Sequence, residues 1–464
     1  MKKKVLVLVS DGVSLRNFAY TSFYNLGIEK GYDVVFWNST PFNLERLNLK
    51  EVKINNAKPN TFSDVLKTAL IRIELNMFSK RDNDAIYHKY KFPLSYKSIK
   101  ASIKSLIIRC YNKLYNSEKG IKIIRAKMAI SERKTSYYAT CKKTLELEKP
   151  DFVLSTSQRA LAAIAPLTAA QDLNIQTASF IYSWDNVSKA TTVVTTDFYF
   201  VWSEHMKKEL LHYQRYIKSN QIKVTGTPQF ENHFDDTFKE PKSAFFKIHN
   251  LDINKKYICF SGDDITTSPK DELYLRDVAK AVRNLNKKEH NLGVIFRKCP
   301  VDFSNRYDNI IEEYNDVIVS VEPKWEKIGA AWNMILPTKE DYKLQTNLIA
   351  HTECVVNLGS SMVFDYAAYN KPCAFIDYNY LNASNSYEKG VHVYNFVHFR
   401  SMPSQDAVIW LSNPKTMADQ LEDMLANPQK TVAKAKAWFE IINAHPPEKA
   451  CKRFWEQIDK LVKR

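Results

Sequence analysis

The 464 residues contain no apolar run approaching the roughly 20 that a membrane-crossing helix needs, so no span is expected. The opening MKKKVLVLVSDG carries the basic residues of a secretory leader. Its apolar run is only about five residues and reads straight into a strand and a glycine turn, so a leader is not expected either. Cysteine is scarce and odd in number, seven with no C-x-x-C pair, which argues against a zinc site and for reduced thiols in a cytoplasm. No G-x-G-x-x-G follows the first strand, which argues against a dinucleotide site there. No D-x-D stands at a strand end, so no metal held by a diphosphate is expected, and the histidines show no metal-ligand spacing. There is no internal sequence repeat and no low-complexity segment.

Acidic residues are also short, 51 Asp/Glu against 67 Lys/Arg, and the shortage is local. Between Lys80 and Lys149 stand eighteen basic and six acidic residues, so twelve of the sixteen net charges fall there. Such a stretch suits nucleic acid, acidic lipid or an anionic substrate. No nucleic-acid-binding motif accompanies it, so no nucleic-acid partner is expected.

Lys4–Ser10 reads as a strand, Phe18–Lys30 as a helix closed by Gly31, and Tyr32–Trp37 as a second strand. This βαβ opening predicts an α/β protein with doubly wound parallel sheets, whose functional groups lie on loops after the strands. Asp11 and Arg16 are such groups. Residues 61–148 read as helices: Ile99, Ile103, Leu106, Ile107 and Cys110 share one face, with Lys97, Lys100, Lys104 and Arg109 around it and tyrosines interleaved. This is either a helical insertion with a solvated basic face or a surface for an anionic membrane or a phosphate-bearing lipid. Strand patterning resumes at Asp151–Ser155 and continues at Thr177–Tyr182, which ends in Ser183-Trp184-Asp185-Asn186, then at Phe198–Trp202 and Ile222–Thr225. Polar residues 231–250 read as a hinge. A second sheet starts at Lys256, with Gly262-Asp263-Asp264 after its first strand, Arg297-Lys298 after the strand Gly293–Phe296, and a loop over Asn333–Asp341. On a strand, Asp263 and Asp264 would point apart, a poor metal pair.

The most informative stretch is His351–Asp377, HTECVVNLGSSMVFDYAAYNKPCAFID, which reads as strand, tight turn, helix, turn, strand. Gly359 turns the chain, and Ser360 or Ser361 caps a helix carrying Met362, Tyr366 and Tyr369 on one face. A helix that opens on Gly-Ser-Ser offers free N–H groups, two hydroxyls and a positive dipole end to an anion. Asp365, four residues after Ser361, shares its face and can accept hydrogen bonds from ribose.

GSSMVFD followed by NKP resembles the donor-site helix of nucleotide-sugar glycosyltransferases of the GT-B fold, and of the UDP-N-acetylglucosamine 2-epimerases and polyol-phosphate polymerases that share it. SWDN, VWSEHMKKEL and VTGTPQF, in that order, resemble the second half of the N-terminal domain of bacterial surface-polysaccharide glycosyltransferases. The resemblance is strong over about 150–230 and 256–380 and poor over 40–145. It implies two Rossmann-like domains facing a cleft: 1–240 for the acceptor with a helical basic insertion at 60–148, 250–425 for the donor, and helices at 426–464 returning to the first domain.

The resemblance further implies a donor site of Gly262, Asp263, Arg297, Lys298, Ile335, Leu336, Gly359, Ser360, Ser361, Met362 and Asp365. Arg297 would neutralise the leaving diphosphate, with an ion pair to a neighbouring helix as its other reading, and Ile335 and Leu336 would meet the base through backbone groups. Retaining members often carry Glu eight positions before the ribose acid; Asn357 stands there, which favours inversion. The base that takes the acceptor proton is Asp11 or Asp185, unless these cap a helix or hold a loop. The expected protein is a cytoplasmic, metal-independent glycosyltransferase without a cofactor. It would use a UDP-linked sugar and a lipid-linked or free surface-glycan acceptor, and could bind an anionic membrane peripherally. A CDP-polyol phosphotransferase and, further off, a non-catalytic nucleic-acid-binding protein are the alternatives.

Overall fold

A computed structural model describes residues 2–329, 334–380 and 390–462. The chain divides into two compact units, Met1–Gln229 with Ile442–Arg464, and Phe230–Ile441.

The first unit is built on a seven-stranded parallel sheet of β1 (Lys4–Val9), β2 (Asp33–Asn38), β3 (Glu51–Lys53), β4 (Phe152–Ser155), β5 (Gln176–Phe180), β6 (Phe198–Val201) and β7 (Ile222–Val224), in the order β3-β2-β1-β4-β5-β6-β7. Val5 to Val9 are wholly buried, as expected of a central parallel strand covered on both faces. Leu6, Leu8, Val35, Trp37 and Val153 face a core closed by the helices Thr61–Asp82, Glu118–Glu132, Ser136–Glu148 and Ile164–Asp172. The expected helix Phe18–Lys30 is broken: helical turns start at Gly12, pause at Tyr20–Ser22 and resume as Phe23–Glu29. The reason is local. Asp11 caps Ser14 and pulls the helical start forward.

The second unit holds a six-stranded parallel sheet of β8 (Lys256–Ser261), β9 (Leu292–Arg297), β10 (Ile318–Ser320), β13 (Cys354–Asn357), β14 (Cys373–Ile376) and β15 (Ile409–Leu411), in the order β10-β9-β8-β13-β14-β15. The antiparallel pair β11 (Trp325–Lys327) and β12 (Ile335–Pro337) stands beside it in sequence. Asn333, where the expected loop begins, lies outside the described residues. The rest of that expectation is corrected: Ile335 and Leu336 pair with Lys327 and Glu326 in a ladder, and a helix starts at Lys339. The expected hinge at 231–250 is also structured, as short 3-10 turns and the helix Lys242–Ile248.

The final helix, Ala450–Val462, belongs to the first unit. Phe454 meets Phe18, Phe180 and Phe200 at 5.4, 5.3 and 5.1 Å on the sheet face opposite Leu6 and Leu8. Trp455 stacks near Phe23 and Tyr32, both at 5.0 Å, and its indole N–H donates to Phe23 O at 2.7 Å. The approach is close enough that a Cβ on Gly27 would lie 2.2 Å from the Trp455 ring. Among the described residues no helix is long and apolar enough to cross a membrane.

Candidate functional site

Each sheet has one place where consecutive connections change direction. In open parallel sheets ligands settle outside the strand ends at that point. In the second unit the point falls between β8 and β13, the central neighbours from which the two wings depart. Gly262-Asp263 follows β8, Leu358–Ser361 follows β13, and Arg297 ends β9 in register with Ser261. The donor-site residues proposed from sequence, apart from Ile335 and Leu336, therefore gather on adjoining strand ends or on the helix that follows.

The turn after β13 is specified residue by residue. Gly359 has φ +69°, and a Cβ there would sit 3.1 Å from the rings of Phe399 and Tyr394. Asn357 Oδ1 accepts the Ser360 N–H at 2.8 Å, so the residue in place of the retaining-type Glu organises the turn. The Ser360 hydroxyl accepts the Met362 N–H at 3.3 Å; Ser361 makes no side-chain cap. The helix is short, Met362–Ala368, and Met362 is buried. Asp365 is buried, and one carboxylate oxygen lies 2.7 Å from Nε2 of His233. The Tyr369 ring meets His233 edge-on at 5.4 Å. His233 Nδ1 and the Tyr369 hydroxyl are buried without a partner among the described residues.

Arg297 adopts the ion-pair arrangement. Its Nη2 donates to both oxygens of Asp341, at 2.9 and 3.1 Å, in the first turn of the helix Lys339–His351. Asp341 also accepts the Lys324 N–H and the Trp325 indole N–H, each at 2.7 Å. Arg297 Nη1 is buried without a partner among the described residues. Lys298 turns away and donates to Ser304 O at 2.6 Å. Ile335 and Leu336 are buried strand residues.

Asp263 and Asp264 lie past the end of β8, in the loop expected after that strand. Asp264 receives the Thr266 N–H at 2.7 Å, and Asp263 Oδ1 accepts the Asp264 N–H at 2.8 Å. Asp271 accepts from Asp263 N–H at 3.1 Å and Tyr307 O–H at 2.9 Å. Burial first, then the facing Asp271, pushes the Asp263 carboxyl well above the usual carboxylate range. Burial pushes Asp271 up to about 6. Among the described residues no group of three or more His, Cys, Asp or Glu could hold a metal ion.

In the first unit the direction changes between β1 and β4. Asp11, after β1, accepts the Ser14 N–H at 2.9 Å and the Ser14 hydroxyl at 2.7 Å. The Thr156 hydroxyl, after β4, donates to Ser14 Oγ at 2.6 Å. Asp185 accepts from Ser183 Oγ at 2.5 Å and Asn186 Nδ2 at 2.8 Å and pairs with Lys189. Burial is the main cause that raises the Tyr182 phenol, with Asp11 and Asp185 both adding to it and Arg159 opposing them. The two candidate bases thus act on one phenol. Each also performs the bland role the sequence allowed, Asp11 as a cap and Asp185 as a loop anchor. The buried Ser157 hydroxyl and Gln158 Oε1 have no partner among the described residues.

Sequence reasoning missed His233, Asp341, Tyr182 and the Thr156-Ser157-Gln158 run. The last had a signal, a polar STSQ directly after an apolar strand. His233 and Asp341 had none, because their partners are 132 and 44 residues away.

No family model matches this chain. No curated protein matches it either. Solved structures do. A Staphylococcus aureus MnaA–UDP complex superposes with TM-score 0.55 at 12% identity, covering 99% of this chain and 97% of that one. UDP-GlcNAc 2-epimerase from Neisseria meningitidis bound to UDP-GlcNAc gives TM-score 0.56 at 12% identity, covering 99% and 100%. A glycosyltransferase from Rickettsia africae gives 0.53 at 11%, covering 100% and 99%. With its two parallel-sheet α/β units, the chain has the GT-B fold shared by these enzymes.

Proposed function

We propose that this chain is an inverting, metal-independent glycosyltransferase that moves a sugar from a UDP-linked donor to a hydroxyl of a lipid-linked bacterial surface glycan. The observation that carries the reading is the Gly359-Ser360-Ser361 turn at the β8/β13 switch point, with Arg297 on the adjoining strand end. Two of the similar structures, the Staphylococcus aureus and Neisseria meningitidis proteins, held UDP or UDP-GlcNAc, which supports a uridine donor.

In this reading the diphosphate rests on the Ser360 and Ser361 hydroxyls and on the Gly359 and Ser361 N–H groups, since the Ser360 and Met362 N–H groups are engaged within the turn. Arg297 Nη1 faces the charge that grows as the nucleotide leaves, while Asp341 holds the guanidinium still. The Asp365 oxygen not engaged by His233 accepts from the ribose, and His233 fixes the carboxylate. Asp11 or Asp185 takes the acceptor proton. A lipid-linked acceptor would place the protein on the cytoplasmic face of a membrane.

The epimerase neighbours favour a second reading, in which the same donor site epimerises the sugar and needs no acceptor. A thermal-shift screen against UDP, CDP and their sugar conjugates, with and without chelator, comes first, since a ligand of the folded state raises Tm by mass action. The proposal expects UDP and UDP-sugars to stabilise the protein with chelator present. Stabilisation by CDP-polyols alone, or by no nucleotide, would sink it. Conversion of a UDP-sugar to its 2-epimer without acceptor would favour the second reading.

A further inference from the structure

The helix Ile99–Leu114 packs on its neighbour through one face only. Ser105 and Ile108 are buried there, Ile108 against Val65 and Ala69 of the helix Thr61–Asp82. At about 100° per residue the opposite face carries Ile99, Ile103, Leu106, Cys110 and Leu114 in one narrow stripe. These apolar side chains are not covered: Ile99 is 82% exposed, Ile103 53%, Leu106 56% and Leu114 74%. Phe92 and Tyr96, just before the helix, are 83% and 51% exposed. Scattered exposed apolar residues need no explanation, but a continuous stripe on one helix does.

The charge around the stripe says what covers it. Lys100 lies on one flank, with Lys104 beyond it paired to Asp64 of the neighbouring helix, and Arg109 and Lys113 lie on the other. From Ala85 to Ser117 there are seven Lys/Arg and no Asp or Glu. An apolar stripe bordered on both sides by cations, on a helix lying flat against its domain, matches the anionic headgroup–acyl boundary of a bilayer. Nucleic acid would satisfy the cations but leave the stripe facing phosphates.

We infer that the Ile99–Leu114 helix lies in the plane of an anionic membrane, with Ile99, Ile103, Leu106 and Leu114 in the acyl boundary and the flanking Lys and Arg among the headgroups. The inference rests on the membrane-linked acceptor proposed above and names the surface that meets the lipid.

Cys110 sits within the stripe and is the one exposed cysteine of the seven. A polarity-sensitive fluorophore on Cys110, in a Cys299→Ser background, reads the environment of this face directly. The full-length protein is mixed, without donor, with vesicles of phosphatidylcholine alone or containing about a third phosphatidylglycerol, and separately with RNA. The expected result is a blue shift and a several-fold rise in emission with anionic vesicles, smaller at high salt and absent with neutral ones. Ile103→Glu with Leu106→Glu, both at exposed positions, should weaken vesicle binding by about tenfold or more at unchanged Tm. No spectral change on anionic vesicles, an equal change on neutral ones, or a change produced by RNA overturns the inference. The nucleotide screen is independent: if it fails while the Cys110 response persists, the donor reading falls and the membrane face stands.

Discussion

Asp271 and Asp365 are both buried carboxylates, and their surroundings set them apart. Among the described residues Asp271 has no cation as a hydrogen-bond partner, and burial lifts it from 3.8 to about 6. The native state therefore keeps a proton that the unfolded chain has released between those values, so stability falls as pH rises through that window. A shift of roughly two units corresponds to a loss on the order of 2–3 kcal/mol. Asp271→Asn should flatten that fall, read from urea titrations at pH values across the window; an unchanged slope would assign it to other groups. Asp365 instead faces His233. Asp365→Ala should raise the donor dissociation constant strongly in calorimetric titration while the fold persists, and normal affinity would remove it from the ribose site. Arg297→Ala should lower kcat by about 10²-fold or more. It should also lower Tm, because among the described residues Asp341 then keeps its Lys324 and Trp325 donors but loses its charged partner. A loss of stability with kcat changed less than threefold would make Arg297 structural.

At the scale of elements, the strand–glycine–helix unit around Gly359 was legible because its determinants are local. A β-branched apolar run, a glycine at positive φ and hydroxyls at the helix start follow one another within a few residues. Gly359→Ala tests that unit. A side chain in the left-handed region costs roughly 1–2 kcal/mol. The crowding by Phe399 and Tyr394 adds to it, so denaturation should move to lower urea and the nucleotide-induced Tm shift should shrink. An unchanged shift would mean the turn does not hold the diphosphate. Elements whose form depends on distant partners were misread. Ile335-Leu336-Pro337 becomes a strand only because Trp325-Glu326-Lys327 lies alongside. In the same way Arg297 was placed correctly at a strand end, while its engagement by Asp341 required the fold. The early start of the helix expected from Phe18 is a different case, since the Asp11 cap that causes it is local.

For the whole molecule, two doubly wound sheets could be read from the alternation of strands and helices. Which aromatic side chains meet across hundreds of residues could not, since nothing in the sequence labels Phe454 as the neighbour of Phe18 and Phe180. Phe454→Ala should cost about 3–5 kcal/mol, the range for emptying a buried aromatic site. Aromatic near-ultraviolet circular dichroism and Tm would register it, and a loss below about 1 kcal/mol would show that the cluster closes without the ring. The placement of this helix also has a consequence for synthesis. Residues 230–441 form a contiguous unit that can close as soon as they leave the ribosome, whereas the unit begun first lacks a wall until Phe454 and Trp455 emerge. During that interval Phe18, Phe23, Phe180 and Phe200 form an open apolar face on a nascent chain. The later unit is therefore free to mature before the earlier one, and the waiting face is where a chaperone would bind.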